Sequence, residues 1–347
     1  KINFLKPIKC KILIYDRQSY QFAEHLFKNK KFHVYDVRFE SINIFILLKT
    51  LSKINFFYFK DFKDKYKKQY FESVSPKIIY TAIDNNPGFY KLKYLYKKAI
   101  YVSDQNGMRD NFFYNYCLKY NKKNKLKPLI CDYFFVFGNN YARKMIKVIK
   151  AKIIISGNNL NNSFKIEKKK KRKKNILFVS SGVSKIRMKL DKRVFDYLLK
   201  FCKNNNYSLA YKLRPGRKLD KFYLKKKLEH DYKIITNKTR KETYSSLNDY
   251  NIVVFGHSTL GFEALARGVK CVCFGMHYFE KAHNMYEKNG PFWSNLNSYT
   301  DLKNLLFKVN KYSQKEWDKI YKDYSYQLLY HDNLNSKKKL KLNINKM

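Results

Sequence analysis

The chain has 347 residues, 45% of them hydrophobic, and this length suits two domains of ordinary size. Its 74 lysines and arginines against 27 acidic residues give a net charge of +47, which favours anionic partners such as lipids, glycans and nucleotide phosphates. The six cysteines lack metal or disulfide spacing, and no apolar run approaches the roughly 18 residues of a spanning helix. Zinc-binding, disulfide-rich and integral membrane proteins are therefore disfavoured, and a reducing, cytoplasmic compartment is expected.

Short apolar strands alternate with helical segments through the first half of the chain. The pattern predicts strands at 11–15, 32–37, 77–83, 99–103, 132–137 and 152–156, and helices at 21–29, 42–51 and 89–97. Strands that are separated by helical connections favour a parallel, doubly wound sheet.

A basic run at 168–174, KKKKRKK, separates this half from a second α/β pattern. The second half has predicted strands at 175–180, 208–213 and 233–236, and predicted helices at 191–204, 241–248, 301–311 and 314–324. The basic run could be a localisation signal or a nucleic-acid patch, but its position favours a solvated linker. We therefore predict an N-terminal Rossmann-like domain at 1–165, a linker at 166–174, a C-terminal Rossmann-like domain at 175–330 and a frayed basic tail at 331–347.

The segment 251–275, NIVVFGHSTLGFEALARGVKCVCFG, is the most informative part of the chain. It predicts a buried strand, a polar turn, a short helix and a second buried strand, in which Cys271 and Cys273 share a core-facing side. The N–H groups at such a helix start can bind phosphate, and Glu263 lies one turn further in, within reach of a ribose. Alternatively, Ser258 only caps the helix of an ordinary βαβ unit.

Polar clusters follow several predicted strands, and ligands of open α/β sheets bind beyond the carboxyl ends of strands. In the first half the candidate binding residues are Arg17, Asn85, Asn86, Gln105, Asn106 and Arg109. In the second half they are Ser181, Gly182, Lys212, Arg214, Gly256, His257, Ser258, Thr259 and Glu263. Since two predicted domains contribute clusters, we expect a ligand cleft between them.

Individual roles follow from residue type. Asp84 could act as a general base on an acceptor hydroxyl, or only form an Asx turn, and Asp16 has the same two interpretations, with Arg17 beside it to keep it ionised. Arg109 is a candidate cation for an anionic ligand, and Lys212 and Arg214 could neutralise a leaving phosphate or be ordinary surface cations. The chain has no HExxH motif or DxD-type pair after a strand, so a metal site is not indicated.

Several segments together resemble the bacterial surface carbohydrate biosynthesis proteins. They are YDRQSYQFAEHLF, FESINIFILLKTL, PKIIYTAIDNNPGFYKL, YVSDQNGMRD, CDYFFVFGNNY, AKIIISGNN, KKNILFVSS and STLGFEALARGVKCVCFG. The resemblance covers residues 9–275, and IDNNPGFYKL and the turn Gln105-Asn106-Gly107 are its most specific parts.

This resemblance implies a GT-B-like glycosyltransferase fold, in which two Rossmann-like domains face a cleft, the second domain binds a nucleotide-linked donor and the first binds the acceptor. We therefore expect a metal-independent enzyme that transfers a sugar from a nucleotide-activated donor to a lipopolysaccharide or capsule precursor, with no further cofactor. It would be cytoplasmic or bound to the inner face of the membrane by anionic lipid. The alternatives are a CDP-glycerol-type glycerophosphotransferase, a nucleic-acid-binding protein and an inactive scaffold.

Overall fold

The computed structural model describes residues 2–27, 30–38, 41–53, 61–109, 111–166, 174–181, 185–213, 232–236, 239–274, 290–295 and 298–332. Within these ranges the chain forms two parallel sheets of six strands each. None of the described helices is long and apolar enough to span a bilayer. Residues 167–173 of the predicted linker at 166–174, and residues 333–347 of the predicted tail, lie outside the described residues.

The first sheet has the strand order β3-β2-β5-β6-β7-β8, and a short parallel pair of β1 and β4 lies outside it. The strands are β1 (Ile2–Asn3), β2 (Ile12–Tyr15), β3 (His33–Tyr35), β4 (Ile42–Asn43), β5 (Ile78–Thr81), β6 (Ile100–Asp104), β7 (Ile130–Val136) and β8 (Lys150–Ile155). The helices are α1 (Tyr20–Leu26), α2 (Ile44–Leu51), α3 (Phe62–Val74), α4 (Asn111–Lys123) and α5 (Asn139–Met145), with 3-10 turns at Arg17–Ser19, Phe89–Tyr94 and Asn161–Ser163. Helix α1 packs on one face of this sheet, and α2 to α5 contribute to the core on the other face.

The second sheet is parallel throughout and has the order β11-β10-β9-β12-β13-β14. Its strands are β9 (Asn175–Val179), β10 (Ser208–Lys212), β11 (Tyr232–Ile235), β12 (Ile252–Phe255), β13 (Lys270–Phe274) and β14 (Trp293–Ser294). The described helices are α6 (Lys185–Asn205), α7 (Arg240–Leu247), α8 (Thr259–Ala266), α9 (Tyr299–Lys311) and α10 (Gln314–Leu328). Strand β13 buries Cys271 and Cys273 in the core, as the sequence predicts.

The predicted alternation is confirmed in both halves, with two kinds of difference. The segment predicted as a helix at 89–97 is a 3-10 turn at Phe89–Tyr94, and α3, α4 and α5 are helices that the pattern did not predict. In α3 the buried stripe consists of Tyr66, Tyr70, Phe71 and Val74, set among lysines. Aromatic residues at these positions give a weak helical signal in a chain that is rich in tyrosine everywhere.

The last described segment, 314–332, contacts the N-terminal domain. Helix α10 packs against both α5 and α8, and beyond it the Tyr330 N–H donates to the Phe137 carbonyl at 2.9 Å. His331 pairs with Gly157, and the Asp332 N–H donates to Asn162 Oδ1 at 3.2 Å. The prediction that the frayed tail begins at residue 331 is wrong for His331 and Asp332, which are buried. These contacts complete the junction between the two domains.

We expect Gly157→Ala to weaken this junction. Gly157 has φ of 70°, and a Cβ there would overlap the Tyr330 carbonyl oxygen, so the backbone would have to move. The variant should lose more than about 1 kcal/mol of unfolding free energy, measured by thermal or urea denaturation. Gly88→Ala is the control, because Gly88 has φ of −61° and a new Cβ would meet only the Asn86 side chain, at 3.1 Å. Equal stability of both variants would contradict this account of the junction.

Candidate functional site

A cleft of about 690 Å³ lies between the two domains, at the carboxyl ends of both sheets. Its N-terminal wall comes from the start of α1 and the loops after β5, β6 and β8, and its C-terminal wall from the loops after β9, β10 and β12 and from α7 and α8. The predicted site residues that line it are Asn106, Arg109, Ser181, Lys212, His257, Ser258, Thr259 and Glu263. The predicted position of the cleft thus agrees with the structure, while the roles of these residues remain predictions.

Two basic side chains face the C-terminal part of the cleft. Lys212 is the last residue of β10 and is buried, and Arg240 is the first residue of α7. Burial, together with the charge of Arg240, lowers the pKa of Lys212 to about 8. A phosphate bound between them would favour the charged form of the buried ammonium. Arg214, the other predicted cation, and Gly182 lie outside the described residues.

The start of α8 lies beside these cations. Ser258 occupies the N-cap position with φ of −83° and ψ of 127°, but its side chain makes no capping hydrogen bond. The interpretation of Ser258 as only a cap is therefore not supported, and its hydroxyl and the first helical turn face the cleft. Gly261 allows this close packing of α8, because any Cβ there would overlap the Phe255 ring of β12.

Glu263 is buried one turn inside α8 and connects the two domains. Its Oε1 accepts a hydrogen bond from Asn158 of the N-terminal domain and another, at 3.3 Å, from the Tyr244 hydroxyl. Burial raises the pKa of Glu263 to about 7, although the charge of Arg240 and these two hydrogen bonds act in the opposite direction. Glu263 can therefore gain or lose its proton near neutral pH.

Asp84 lies behind the cleft wall rather than on it. The Arg109 guanidinium donates to the Asp84 carboxylate through Nε, at 3.0 Å, and through one terminal nitrogen. The Asn106 N–H and the Tyr141 hydroxyl also donate to this carboxylate, at 3.3 and 3.4 Å. Burial would lower the pKa of Arg109, but the Asp84 carboxylate outweighs this effect and raises it. Since Asp84 is completely buried and held by a cation, this arrangement favours a role in positioning Arg109 over the predicted role as a general base.

Asp16 and Arg17 have local structural roles. Asp16 has φ of 82°, accepts a hydrogen bond from the Gln18 N–H at 2.9 Å and pairs with Arg38 at 3.1 Å. Arg17, which was predicted to pair with Asp16, binds Asp36 through two hydrogen bonds of 2.8 Å. Neither residue lines the cleft, so the structure does not favour Asp16 as a catalytic group.

Four other predicted residues are not among those that line the cleft. They are Asn85, Asn86, Gln105 and Gly256. Asn85 is exposed, and Asn86 accepts a hydrogen bond from the Gly88 N–H at 3.0 Å in a local turn. Gln105 positions the loop after β6, since it donates to the Gly107 carbonyl at 2.9 Å and accepts from the Phe137 N–H at 2.7 Å.

The sequence matches the model of a family described as "putative O-antigen biosynthesis protein" over residues 102–195 and 188–346. These two stretches together span more than half of the chain. The chain belongs to this family. The predicted relationship to surface carbohydrate biosynthesis proteins is thereby confirmed. No curated protein sequence matches the chain significantly.

Solved structures with low sequence identity share the fold of this chain. A "putative UDP-N-acetylglucosamine 2-epimerase" from Listeria monocytogenes superposes with a TM-score of 0.62 and 11% identity, over 97% of this chain and 96% of its own. The UDP-GlcNAc 2-epimerase of Methanocaldococcus jannaschii, in complex with UDP-GlcNAc and UDP, has a TM-score of 0.54 and 14% identity, over 92% of this chain and 100% of its own. The wall teichoic acid polymerase TagF, soaked with CDPG, has a TM-score of 0.53 and 12% identity, over 98% of this chain and 89% of its own. The predicted GT-B-like architecture of two Rossmann-like domains is confirmed.

Several residues that line the cleft were not predicted. They include Gln21, Phe22, Asn158, Leu160, Arg240, Thr243 and Tyr244. Asp191 of α6 was also missed, and its carboxylate accepts from the Ser180 hydroxyl at 2.9 Å and the Ser181 N–H at 2.8 Å, which holds the loop after β9. Within the described ranges, no group of three or more His, Cys, Asp or Glu side chains is placed to hold a metal ion.

We expect Asp84→Ala to lower the unfolding free energy by about 3–5 kcal/mol, because it leaves the Arg109 charge buried and unpaired. The double variant Asp84→Ala/Arg109→Met should recover part of this loss in a denaturation experiment. Asp64→Ala is the control, because it removes an exposed pair with Lys67 and should cost less than about 1 kcal/mol. If Asp84→Asn instead keeps full stability and donor binding but abolishes activity, a general-base role would be restored.

Glu263 should make stability depend on pH. Its folded pKa of about 7 exceeds the ordinary value of 4.5, so between these values the native protein holds a proton that the unfolded chain has lost. The free energy of unfolding should therefore fall as pH rises through this window. Glu263→Gln should remove this dependence on pH. The loss of unfolding free energy across the window, which the variant should not show, is at most about 3 kcal/mol in the wild type. Urea titrations across the window measure it, with exposed Glu24→Gln as the control, and an unchanged slope in Glu263→Gln would contradict the assignment.

Proposed function

We propose that the protein transfers a sugar from a nucleotide-activated donor to a precursor of a cell-surface glycan, such as O-antigen or capsule. The observation that carries this proposal is the convergence of Lys212, Arg240 and the start of α8 on one wall of a cleft between two Rossmann-like domains. Membership of the O-antigen biosynthesis family supports the choice of a surface glycan. The UDP and UDP-GlcNAc that are bound in the M. jannaschii epimerase support a nucleotide sugar as the ligand.

The C-terminal wall suits a nucleotide diphosphate. Negative charge builds up on this group when the bond to the sugar breaks, and buried cations and helix N–H groups stabilise such charge. Lys212 and Arg240 supply two positive charges, and the Ser258 hydroxyl and the first turn of α8 supply donors. We propose that these groups act without a divalent metal and that the Glu263 carboxylate binds the ribose hydroxyls.

The N-terminal wall suits a sugar acceptor. Gln18, Gln21 and Asn106 offer amides that can donate to and accept from hydroxyl groups, and Phe22 adds an apolar surface on which a sugar face can pack. Arg109, which Asp84 fixes in place, can meet an anionic group on the acceptor. We propose that the acceptor is lipid-linked, and that the protein acts in the cytoplasm at the inner face of the membrane.

A thermal-shift panel of CMP, CDP, UDP, GDP, dTDP and their sugar conjugates tests the donor site. One nucleotide should stabilise the wild type at moderate salt, because a ligand that binds only the folded state raises its stability. Lys212→Met should weaken the binding of that nucleotide at least about tenfold, because the variant loses one charge-assisted hydrogen bond to the ligand. Lys203→Met removes an exposed lysine of α6 and should bind like the wild type. Equal shifts with every nucleotide, which are lost in salt and unaffected by Lys212→Met, would contradict a specific site.

Mass spectrometry of the products then separates the possible reactions. With the stabilising donor and a glycan acceptor, sugar transfer adds the mass of one sugar residue and no phosphorus. Addition of a phosphorus-containing glycerol unit from a CDP-glycerol donor would identify a glycerophosphotransferase instead. Isomerisation of the donor sugar in the absence of an acceptor would identify an epimerase and would overturn the transferase proposal.

A further inference from the structure

The N-terminal domain exposes large apolar side chains on two neighbouring elements. They are Ile2, Phe4, Leu5 and Ile8 of the first segment, and Phe45, Leu48 and Leu51 of α2, and we name them the N-terminal patch. The two elements are in contact, because β1 pairs with β4 and the Asn43 side chain, which caps α2, donates to the Leu5 carbonyl at 2.7 Å. None of these seven side chains lines the cleft. The patch is therefore a second surface, separate from the site of the proposed function.

The patch differs from singly exposed apolar side chains because its members are grouped on two contacting elements. Phe4, Leu5 and Ile8 expose 68%, 77% and 78% of their surface, and Leu48 exposes 58%. On α2, Phe45, Leu48 and Leu51 recur every three residues and so share one side of the helix. The opposite side buries Ile46 against the domain core. A helix that is apolar on both sides normally has a partner on both, and within the described part of the chain only one side of α2 is covered.

The charged side chains of the two segments that carry the patch are all positive. Residues 1–15 and 41–60 contain no Asp or Glu, and the exposed side chains of Lys6, Lys9 and Lys49 lie among the apolar ones. A second copy of a chain with net charge +47 would be repelled from this surface. An anionic bilayer fits it, since apolar side chains can enter the boundary of the acyl chains while lysines extend to the headgroups.

We propose that the N-terminal patch docks the protein on an anionic membrane surface. Four apolar side chains of the first segment and three of α2 insert, and the surrounding lysines bind acidic lipid headgroups. In one respect this rests on the proposed function, because the patch belongs to the domain to which we assign a lipid-linked acceptor. Docking through this domain would hold the acceptor wall near the lipid from which the acceptor comes.

Co-sedimentation of the full chain with vesicles tests the proposal. The probes are vesicles of phosphatidylcholine alone and vesicles of equal parts phosphatidylcholine and phosphatidylglycerol. The wild type should bind the anionic vesicles, and Phe4→Ser/Leu5→Ser/Ile8→Ser should bind them at least about tenfold more weakly. The matched control is Phe112→Ser/Leu126→Ser/Ile146→Ser, which removes side chains that are 80%, 96% and 66% exposed outside the patch. This control should bind like the wild type.

The lysines are tested separately. Lys6→Gln/Lys9→Gln/Lys49→Gln should weaken binding to the anionic vesicles by about fivefold per lysine removed. Equal binding by the wild type and the Phe4, Leu5 and Ile8 variant would overturn the proposal. So would concentration-dependent dimerisation in ultracentrifugation that this variant abolishes, because a second copy would then occupy the patch. Nucleotide thermal shifts on the same variants should stay normal, so a failure of docking is distinguishable from a failure of the donor site.

Discussion

The structure depends on the buried polar segment that follows β8 and joins the two domains. Asn158 donates to Glu263, and the Arg267 guanidinium donates to Asn161 at 3.0 Å and to the Phe164 and Lys165 carbonyls at 3.2 and 2.7 Å. Hydrogen bonds of this kind are stronger in a protein interior that excludes solvent than they are in water. Removing one partner would leave the other as a buried polar group without a hydrogen bond. The relative position of the domains, and with it the width of the cleft, is therefore fixed by directional contacts rather than by apolar packing alone.

Two ionisable side chains that line the cleft are buried in positions that disfavour their charged forms. Burial lowers the pKa of Lys212 and raises that of Glu263, so both charged forms are disfavoured where the two domains meet. A nucleotide would bring a phosphate charge for Lys212 and hydroxyl groups for Glu263, and would thereby stabilise the charged form of each. Ionisable groups whose burial destabilises the folded protein, but which interact favourably with a bound ligand, are typical of functional sites. The Asp84 and Arg109 pair, by contrast, is already neutralised and acts as a fixed part of the wall.

The parts of the molecule that follow from local chemistry could be predicted from the sequence. The strand, turn and helix around Ser258 are encoded within one segment, so the position of the helix start and of Glu263 was predictable. The phosphate-binding role of this helix start stays a prediction. The role of Asp84 was not, because a carboxylate after a strand looks the same whether it faces a cleft or an arginine 25 residues further along. Asn158 was missed because only the packing of one domain against the other brings it to Glu263. Arg240 was missed for a different reason. In a chain with 74 basic residues, no local signal distinguishes Arg240 from its neighbours.

The most direct test of the central claim is a crystal structure of the protein with the nucleoside diphosphate that stabilises it. The account predicts that the phosphates lie within hydrogen-bond distance of the Ser258 hydroxyl and the first turn of α8, with Lys212 and Arg240 beside them and the ribose at Glu263. Phosphates bound elsewhere on the basic surface, with the cleft between the domains unchanged, would contradict it.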